Sequence, residues 1–310
     1  MIEARNLTKR YGKLLALDDL SLDIGPGEVF GFIGPNGAGK STTMRILACL
    51  MRPDSGTAKV CGRFVESEGP AIRRLIGYMP DFLGVYEDLT VDEYLQFFAS
   101  AFQIPRKQRR SIVDGVLELT DLTEKRRSPV EGLSRGMTQR LGVARVLIHD
   151  PKVLLLDEPA SGLDPRARIE MRTLLAELGR MGKSIMLSSH ILSELAELCN
   201  SIGIIERGKL LFAGTIEEAY RKAALGDRVR ITLEGGTDPA VAASVIEGDG
   251  RVLRVSTNGT TLTIDLAPEV QERHFLIEKL VAAGVRIGAL RPEEARLEDA
   301  FLRLTKGSVQ

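Results

Sequence analysis

The sequence predicts an α/β fold around a parallel sheet, followed by a smaller α+β unit of ferredoxin-like order. Three observations support this prediction. The apolar strand Val29 to Ile33 leads into a glycine-rich turn and then an apolar-periodic helix. The run Val153 to Leu156 is continuously apolar, as expected of a parallel strand buried on both faces. From about Asp227 the predicted elements follow the order β-α-β-β-α-β of a split βαβ unit.

The first third of the chain reads as short strands around the glycine-rich turn. One strand ends at Tyr11, a second covers Ala16 to Leu22, and others lie near 58–61 and 75–79. The segment 53–56, Pro-Asp-Ser-Gly, is a strong turn signal between them.

A helical stretch follows. Thr90 and Glu93 have capping-box spacing, and Pro105 ends the first helix. The basic runs 106–110 and 125–127 fit solvated helix faces, or contacts to a partner or to lipid headgroups.

The segment 134–149 predicts a further helix, and Pro165 is well placed in the first turn of another. A strand at 185–188, a helix after it and a hairpin over 202–212 complete the first domain, with a capped helix at Thr215 and Glu218. We place the domains at 1–224 and 225–310.

The second domain begins with an alternating strand at 229–233. A helix at 239–246, a hairpin around Asn258-Gly259, a longer helix at 268–283, a strand at 285–290 and a last helix at 292–304 follow.

Composition restricts the functional classes. The 310 residues carry 42 basic and 42 acidic side chains, which argues against a general nucleic-acid binder. The 3 cysteines have no metal-ligand spacing and suggest a reducing compartment. No apolar run approaches the roughly 20 residues of a membrane helix, so we expect a soluble, cytoplasmic chain without a membrane span.

The glycine-rich turn has the chemistry of a phosphate-binding loop. Its glycines allow several backbone N–H groups to point inward at a helix N-terminus. Lys40 adds a positive charge for the outer phosphates, and the Ser41 hydroxyl can ligate Mg²⁺. We therefore predict that a nucleoside triphosphate binds here, on Gly34, Pro35, Asn36, Gly37, Ala38, Gly39, Lys40, Ser41 and Thr42.

Four further motifs follow in order. Leu133-Ser134-Arg135-Gly136-Met137 precedes a helix, and Asp157-Glu158 ends the apolar strand. Ser161-Gly162-Leu163-Asp164 comes next, and His190 lies just beyond another strand. Over residues 1–220, with Tyr11, this combination resembles the ATP-binding cassette (ABC) ATPases. The resemblance implies a mixed-sheet core with an antiparallel β region and a helical subdomain, binding ATP and Mg²⁺.

The resemblance also implies roles for single residues. Asp157 would hold Mg²⁺, and Glu158 looks like the general base that acts on the attacking water. His190 resembles the family's switch histidine, although a histidine after a strand is more often a surface or cap residue. Tyr11 looks like the residue that stacks on adenine, and packing is the alternative.

In this family the signature segment of one subunit covers the ATP held by another. Ser134 and Gly136 would therefore meet a partner's phosphate, and Asp164 would communicate across the interface. The single phosphate-binding loop and single signature imply a head-to-tail homodimer, or a pair with a homologous chain, with two ATPs between the subunits.

Two positions depart from the common family pattern. Asp81 stands where many members have Gln. We expect it to approach Mg²⁺ or its water, although its carboxylate adds a negative charge near the phosphates. The signature reads LSRGM instead of LSGGQ, with Arg135 and Met137 resembling the exporter subgroup for drugs, polysaccharides and lipids. The ending at 297–305 is similar to the tails of that subgroup.

We therefore expect the ATPase subunit of an exporter that docks on a separate membrane permease through the region 81–128. It would lie on the inner face of the plasma membrane. The alternative is a soluble ABC ATPase serving ribosomes, DNA repair or assembly, although such proteins usually carry two cassettes or a long coiled-coil insertion. The C-terminal unit would support dimers, sense a ligand or act as a lid.

Overall fold

The computed structural model describes residues 1–84, 86, 88–189, 191–223, 228–267, 269–270, 272–293 and 297–305. The chain divides into two compact units, Met1–Gly214 and Thr215–Gln310. The division falls ahead of the capped helix at Thr215, which the sequence analysis assigned to the first domain. Within the described ranges, no helix combines the length and apolar character that crossing a membrane requires.

The first unit contains two sheets and a group of helices. Its strands are β1 (Ile2–Tyr11), β2 (Leu14–Ile24), β3 (Val29–Ile33), β4 (Ser55–Val60), β5 (Arg63–Phe64), β6 (Ile76–Met79), β7 (Val153–Leu156), β8 (Ser184–Ser189), β9 (Ser201–Glu206) and β10 (Lys209–Thr215). Its helices are α1 (Lys40–Leu47), α2 (Gly69–Arg73), α3 (Val91–Ala101), α4 (Arg106–Leu119), α5 (Arg135–Leu147), α6 (Pro165–Arg180) and α7 (Leu192–Leu198).

The larger sheet is mainly parallel and has the strand order β10-β9-β3-β8-β7-β6. Strands β3, β7 and β8 are buried along their whole length, and β3 and β7 have the near-continuous apolar sequences expected of such strands. Each is parallel to its neighbour, so their carboxyl ends meet at one edge. That edge carries the glycine-rich turn and the Asp157-Glu158 pair.

A second sheet, ordered β2-β1-β4-β5, is antiparallel and packs on the same core. Alternate residues of β1 and β2, such as Ala4 and Leu22, are buried together with Met44, Ile46 and Leu47 of α1. The sheet therefore supports the helix that follows the glycine-rich turn.

The predicted capping box at the start of α3 is confirmed. The Thr90 backbone N–H donates to Glu93 Oε2 at 2.9 Å, and the Glu93 N–H donates to Thr90 Oγ1 at 3.3 Å. The basic run at 125–127 is partly paired, because Arg126 bonds both Asp92 and Asp114.

The second unit consists of α8 (Ile216–Lys222), β11 (Arg228–Glu234), α9 (Pro239–Ile246), β12 (Val252–Asn258), β13 (Thr261–Leu266), α10 (His274–Ala282), β14 (Arg286–Glu293) and α11 (Leu297–Thr305). Its sheet has the order β12-β13-β11-β14, and neighbouring strands are antiparallel. This is the sheet of a split βαβ fold, so the ferredoxin-like prediction is confirmed. The core beneath α9 and α10 includes Ile231, Ile264 and Leu280.

Two boundaries in this unit were predicted wrongly. Helix α10 begins at His274 and not at 268, because Val270 would lie about 120° around the helix from the buried Leu276. Val270 instead packs against the core from a turn on Ala267. The last helix does not begin at Pro292. This residue belongs to β14 and pairs with Val229 of β11. An edge strand tolerates proline, since the missing N–H can face outward.

We predict that Leu280→Ala lowers the free energy of unfolding by about 2–5 kcal/mol, because it leaves a cavity beneath α10. Leu280 is fully buried, whereas the adjacent Val281 on the same helix is 59% exposed. Val281→Ala is the matched control and should change stability by less than about 0.5 kcal/mol. Denaturant unfolding followed by circular dichroism measures both; equal losses would contradict this core assignment.

Candidate nucleotide site

A cleft of about 240 Å³ lies at the carboxyl edge of the larger sheet. It brings together residues that are far apart in the sequence, from the end of β1, the glycine-rich turn and the ends of β6 and β7. The lining residues are Tyr11, Leu14, Ala16, Pro35, Asn36, Gly37, Ala38, Gly39, Lys40, Ser41, Thr42, Asp81, Asp157 and Glu158.

The glycines of the turn are required by close packing and by backbone conformation. A Cβ on Gly34 would lie 2.4 Å from the carbonyl oxygen of Ile205. Gly39, which precedes α1, has a φ of 114°, and a Cβ there would lie 2.7 Å from the Ala16 carbonyl. Gly37 has a φ of 80°, in the left-handed region. The turn is therefore held tightly against β2 and β9 at the start of α1.

Lys40 is buried at the centre of the cleft. Its Nζ donates to the carbonyl oxygens of Gly34 at 2.6 Å and Pro35 at 3.3 Å. The same Nζ lies 3.6 Å from Glu158 Oε1, and the two side chains are 6% and 12% exposed. The ammonium and the carboxylate therefore face the same small volume above the turn.

Asp157 and Glu158 are oriented by a hydroxyl on the neighbouring strand. Asp157 is 2% exposed, and its Oδ1 accepts from Ser188 Oγ at 2.6 Å. The Glu158 backbone N–H donates to the same Ser188 oxygen at 2.9 Å. Glu158 has a φ of 52°, which is uncommon for a residue other than glycine and marks a constrained turn.

Sequence reasoning missed the role of Ser188. It appeared only as the end of a predicted strand. The available signal was a small polar side chain in a predicted strand, because such a group requires hydrogen-bond partners when the strand is buried, as β8 is.

Tyr11 and Asp81 lie at the outer part of the cleft. Tyr11 is 43% exposed, and its hydroxyl donates to Met51 Sδ at 3.0 Å. The ring thus lines the cleft and stays partly accessible, which suits stacking on a planar base. Asp81 is exposed and follows β6.

Ser134, Gly136 and Asp164 do not line this cleft. Ser134 caps α5 by accepting from the Met137 N–H at 3.3 Å. Asp164 caps α6 by accepting from the Ala167 N–H at 2.9 Å. A Cβ on Gly136 would lie 2.8 Å from Ala167 Cβ, so the two helix starts are adjacent. His190 lies outside the described residues.

The donor set fits a magnesium ion that arrives with phosphates. Ser41, Asp157 and Asp81 present hydroxyl and carboxylate oxygens to one cleft. Across the described part of the chain, no cluster of three or more His, Cys, Asp or Glu side chains could hold a metal ion. Mg²⁺ commonly binds through one or two protein oxygens, with phosphates and waters completing its shell.

The nearby carboxylates also affect Tyr78 on β6. Burial raises the pKa of the Tyr78 phenol, the charges of Asp157 and Asp81 raise it further, and Arg45 opposes the change. The phenol therefore stays protonated at neutral pH and adds no negative charge beside the cleft.

Comparisons with known proteins agree with this geometry. The family model described as ABC transporter matches residues 17–161. The chain is 37% identical over 308 residues to Nod factor export ATP-binding protein I of Ralstonia nicotianae, covering 98% of this chain and 94% of the relative. It is 31% identical over 307 residues to the linearmycin resistance ATP-binding protein LnrL of Bacillus subtilis, covering 98% of each.

A solved structure of a similar cassette is a dimer. It is the dimeric post-hydrolysis state of the ATP-binding cassette MJ0796 bound to ADP and Pi. The match has a TM-score of 0.64 and 25% sequence identity, over 70% of this chain and 99% of that one. With the cleft, its buried lysine and its adjacent carboxylates, these comparisons show that the chain belongs to the ABC transporter family, as an ATP-binding subunit that hydrolyses ATP.

Proposed function

We propose that this chain drives an export-type ABC transporter by closing head to tail on a second cassette, with two Mg²⁺–ATP complexes between them. The observation that carries the proposal is the separation of two phosphate-binding elements within one protomer. Lys40 and Glu158 face the cleft, whereas Ser134 and Gly136 start a helix outside it. A second protomer supplies the missing half of each site.

The chain's own residues divide the work of hydrolysis. Loop amides and Lys40 bind the phosphates, and Tyr11 stacks on the adenine. Glu158, fixed through its backbone by Ser188, orients and deprotonates the attacking water, and His190 helps to position it. Ser41, Asp157 and Asp81 would hold Mg²⁺, which neutralises charge on the phosphates.

Export is supported by the names of the relatives, which refer to Nod factor export and to linearmycin resistance. The chain has a single phosphate-binding loop and a single signature segment. The alternative is a soluble ABC ATPase in ribosome, repair or assembly work. It is less favoured, because both of these relatives match the chain over nearly its whole length and neither is named for such a role.

The helical region 81–128 offers a surface for the permease on the inner face of the plasma membrane. Tyr86 and Phe97 are 54% and 48% exposed and stack edge to face at 5.4 Å between ring centroids. Phe82 is 86% exposed nearby in the sequence. Exposed aromatic side chains are typical anchors of protein interfaces.

We expect Glu158→Gln to lower kcat at least about 100-fold, because it removes the general base. ATP binding should persist, so the variant should accumulate as a dimer with ATP, measured by size-exclusion chromatography with light scattering. Glu177→Gln, on a half-exposed residue of α6, is the control and should keep wild-type turnover. Full turnover in Glu158→Gln would show that another group is the base.

A mixing experiment tests the head-to-tail arrangement. Lys40→Ala should weaken ATP binding roughly 10- to 100-fold through the lost charged hydrogen bonds. Ser134→Asp keeps a good helix cap but places a negative charge against the phosphate. Neither variant alone should form a dimer in the presence of ATP. Their mixture should form dimers that contain one intact composite site.

The control for the mixture is Ser134→Asn with Lys40→Ala. Asparagine caps the helix without adding charge, so the Ser134→Asn variant should form ATP-dependent dimers even without the Lys40→Ala variant. A Lys40→Ala and Ser134→Asp mixture with no ATP-dependent dimer would contradict sharing of the site between protomers.

We expect Phe97→Ser to reduce co-sedimentation with membranes that contain the co-expressed neighbouring permease by about tenfold, the loss typical of an interface anchor. ATP hydrolysis by the isolated chain should stay within about twofold, since Phe97 does not line the cleft. Phe64→Ser, on a similarly exposed ring of β5, is the matched control. Equal membrane recovery for both variants would exclude this surface.

A further inference from the structure

We propose that Arg135 is a positioning residue that clamps the turn at 161–164 to the first turn of α5. The inference deepens the proposed function and rests on it, because it concerns how the two composite sites of the dimer are joined. Arg135 is also where the signature departs from the common LSGGQ pattern.

The clamp is a close contact between the Arg135 guanidinium and Gly162. A Cβ on Gly162 would lie 2.3 Å from Arg135 Cζ, 2.4 Å from Nη2 and 2.7 Å from Nη1. All three atoms are near one point, so the guanidinium occupies the space that a side chain would fill. Gly162 also has a φ of 67°, in the left-handed region that favours glycine.

A second contact holds the same two segments together. Gly136, the next residue of α5, approaches Ala167 of α6 so closely that an added Cβ would lie 2.8 Å from the alanine methyl. The first turn of α5 therefore contacts the segment 162–167 at two places, through Arg135 on Gly162 and through Gly136 on Ala167.

The clamped turn is connected to Glu158. The Ser161 N–H donates to the Glu158 carbonyl at 3.1 Å, and Asp164 at the other end caps α6. Arg135 follows Ser134 directly. In a head-to-tail dimer Ser134 serves one ATP and Glu158 serves the other, so the clamp makes the two sites respond together.

The competing role for Arg135 is a direct charge contact to the partner's phosphate. The Arg135→Lys substitution distinguishes the two roles. A planar guanidinium can lie flat on Gly162, whereas a lysine ammonium is a point charge on a flexible chain. Lysine would therefore partly preserve a phosphate contact but would not restore the clamp.

Hydrogen exchange on the full, nucleotide-free chain tests the clamp itself. Arg135→Ala and Arg135→Lys should both speed exchange of the amides at 161–164 on the order of fivefold, as expected when a local contact worth about 1 kcal/mol is lost. Arg180→Ala, at the far end of α6, is the control and should leave that segment unchanged. Unchanged exchange in Arg135→Ala, or wild-type exchange in Arg135→Lys, would overturn the proposal.

A double-mutant cycle on ATP hydrolysis tests the functional consequence. Arg135→Ala and Gly162→Ala should each lower kcat about five- to tenfold with little change in KM, because nucleotide binding at the cleft is untouched. The double variant should lose no more than the worse single variant, since both remove one contact. Additive losses, or recovery of kcat by Arg135→Lys, would overturn the proposal.

The exchange measurement does not depend on dimer formation. A wild-type chain that never pairs with ATP would refute the proposed function, while the exchange result would still decide whether the clamp exists.

Discussion

The convergence of parallel strand ends at one sheet edge is the constraint on which the site depends. Strands β3, β7 and β8 are buried and parallel, so the chain can expose polar groups only where these strands end. There the turn holds Lys40 in reach of Glu158, and Ser188 bonds Asp157 and the Glu158 amide. Burial of Lys40 and Asp157 removes competing water, which strengthens each charge interaction within this cleft.

The same fold places the start of α5, the second phosphate-binding element of the proposed dimer, outside the cleft of its own protomer. Helix α5 begins with a capping serine outside the cleft, and α6 begins beside it with a capping aspartate. Under the proposed head-to-tail arrangement, one protomer is incomplete, and association with another cassette would complete both sites at once. ATP would then be both substrate and part of the interface, so hydrolysis would change the stability of the pair.

The second unit has a hydrophobic core of its own. Its antiparallel sheet buries Ile231 and Ile264 against α9 and α10, and Arg228 bonds both Asp265 and Asp299. Asp299 lies in α11 and joins the ion pairs that Arg228 makes on β11.

The sequence alone determined the parts of this protein that depend on short-range chemistry. The turn at 34–41, the capping residues Thr90 and Thr215, and the helix start at Pro165 follow from residues within a few positions of each other. The ferredoxin-like order could also be predicted, because alternation and turn residues mark each strand. Only the tertiary structure showed which distant groups meet.

Ser188 supports Asp157 across neighbouring strands, and Arg135 occupies the space left by Gly162, contacts that no local spacing encodes. Pro292 joined an edge strand because pairing with β11 outweighed the local preference of proline for a helix start, and α10 starts late because Val270 packs on the core from a turn. Local patterns specify elements and caps, whereas contacts between remote residues depend on how the sheet brings strand ends together.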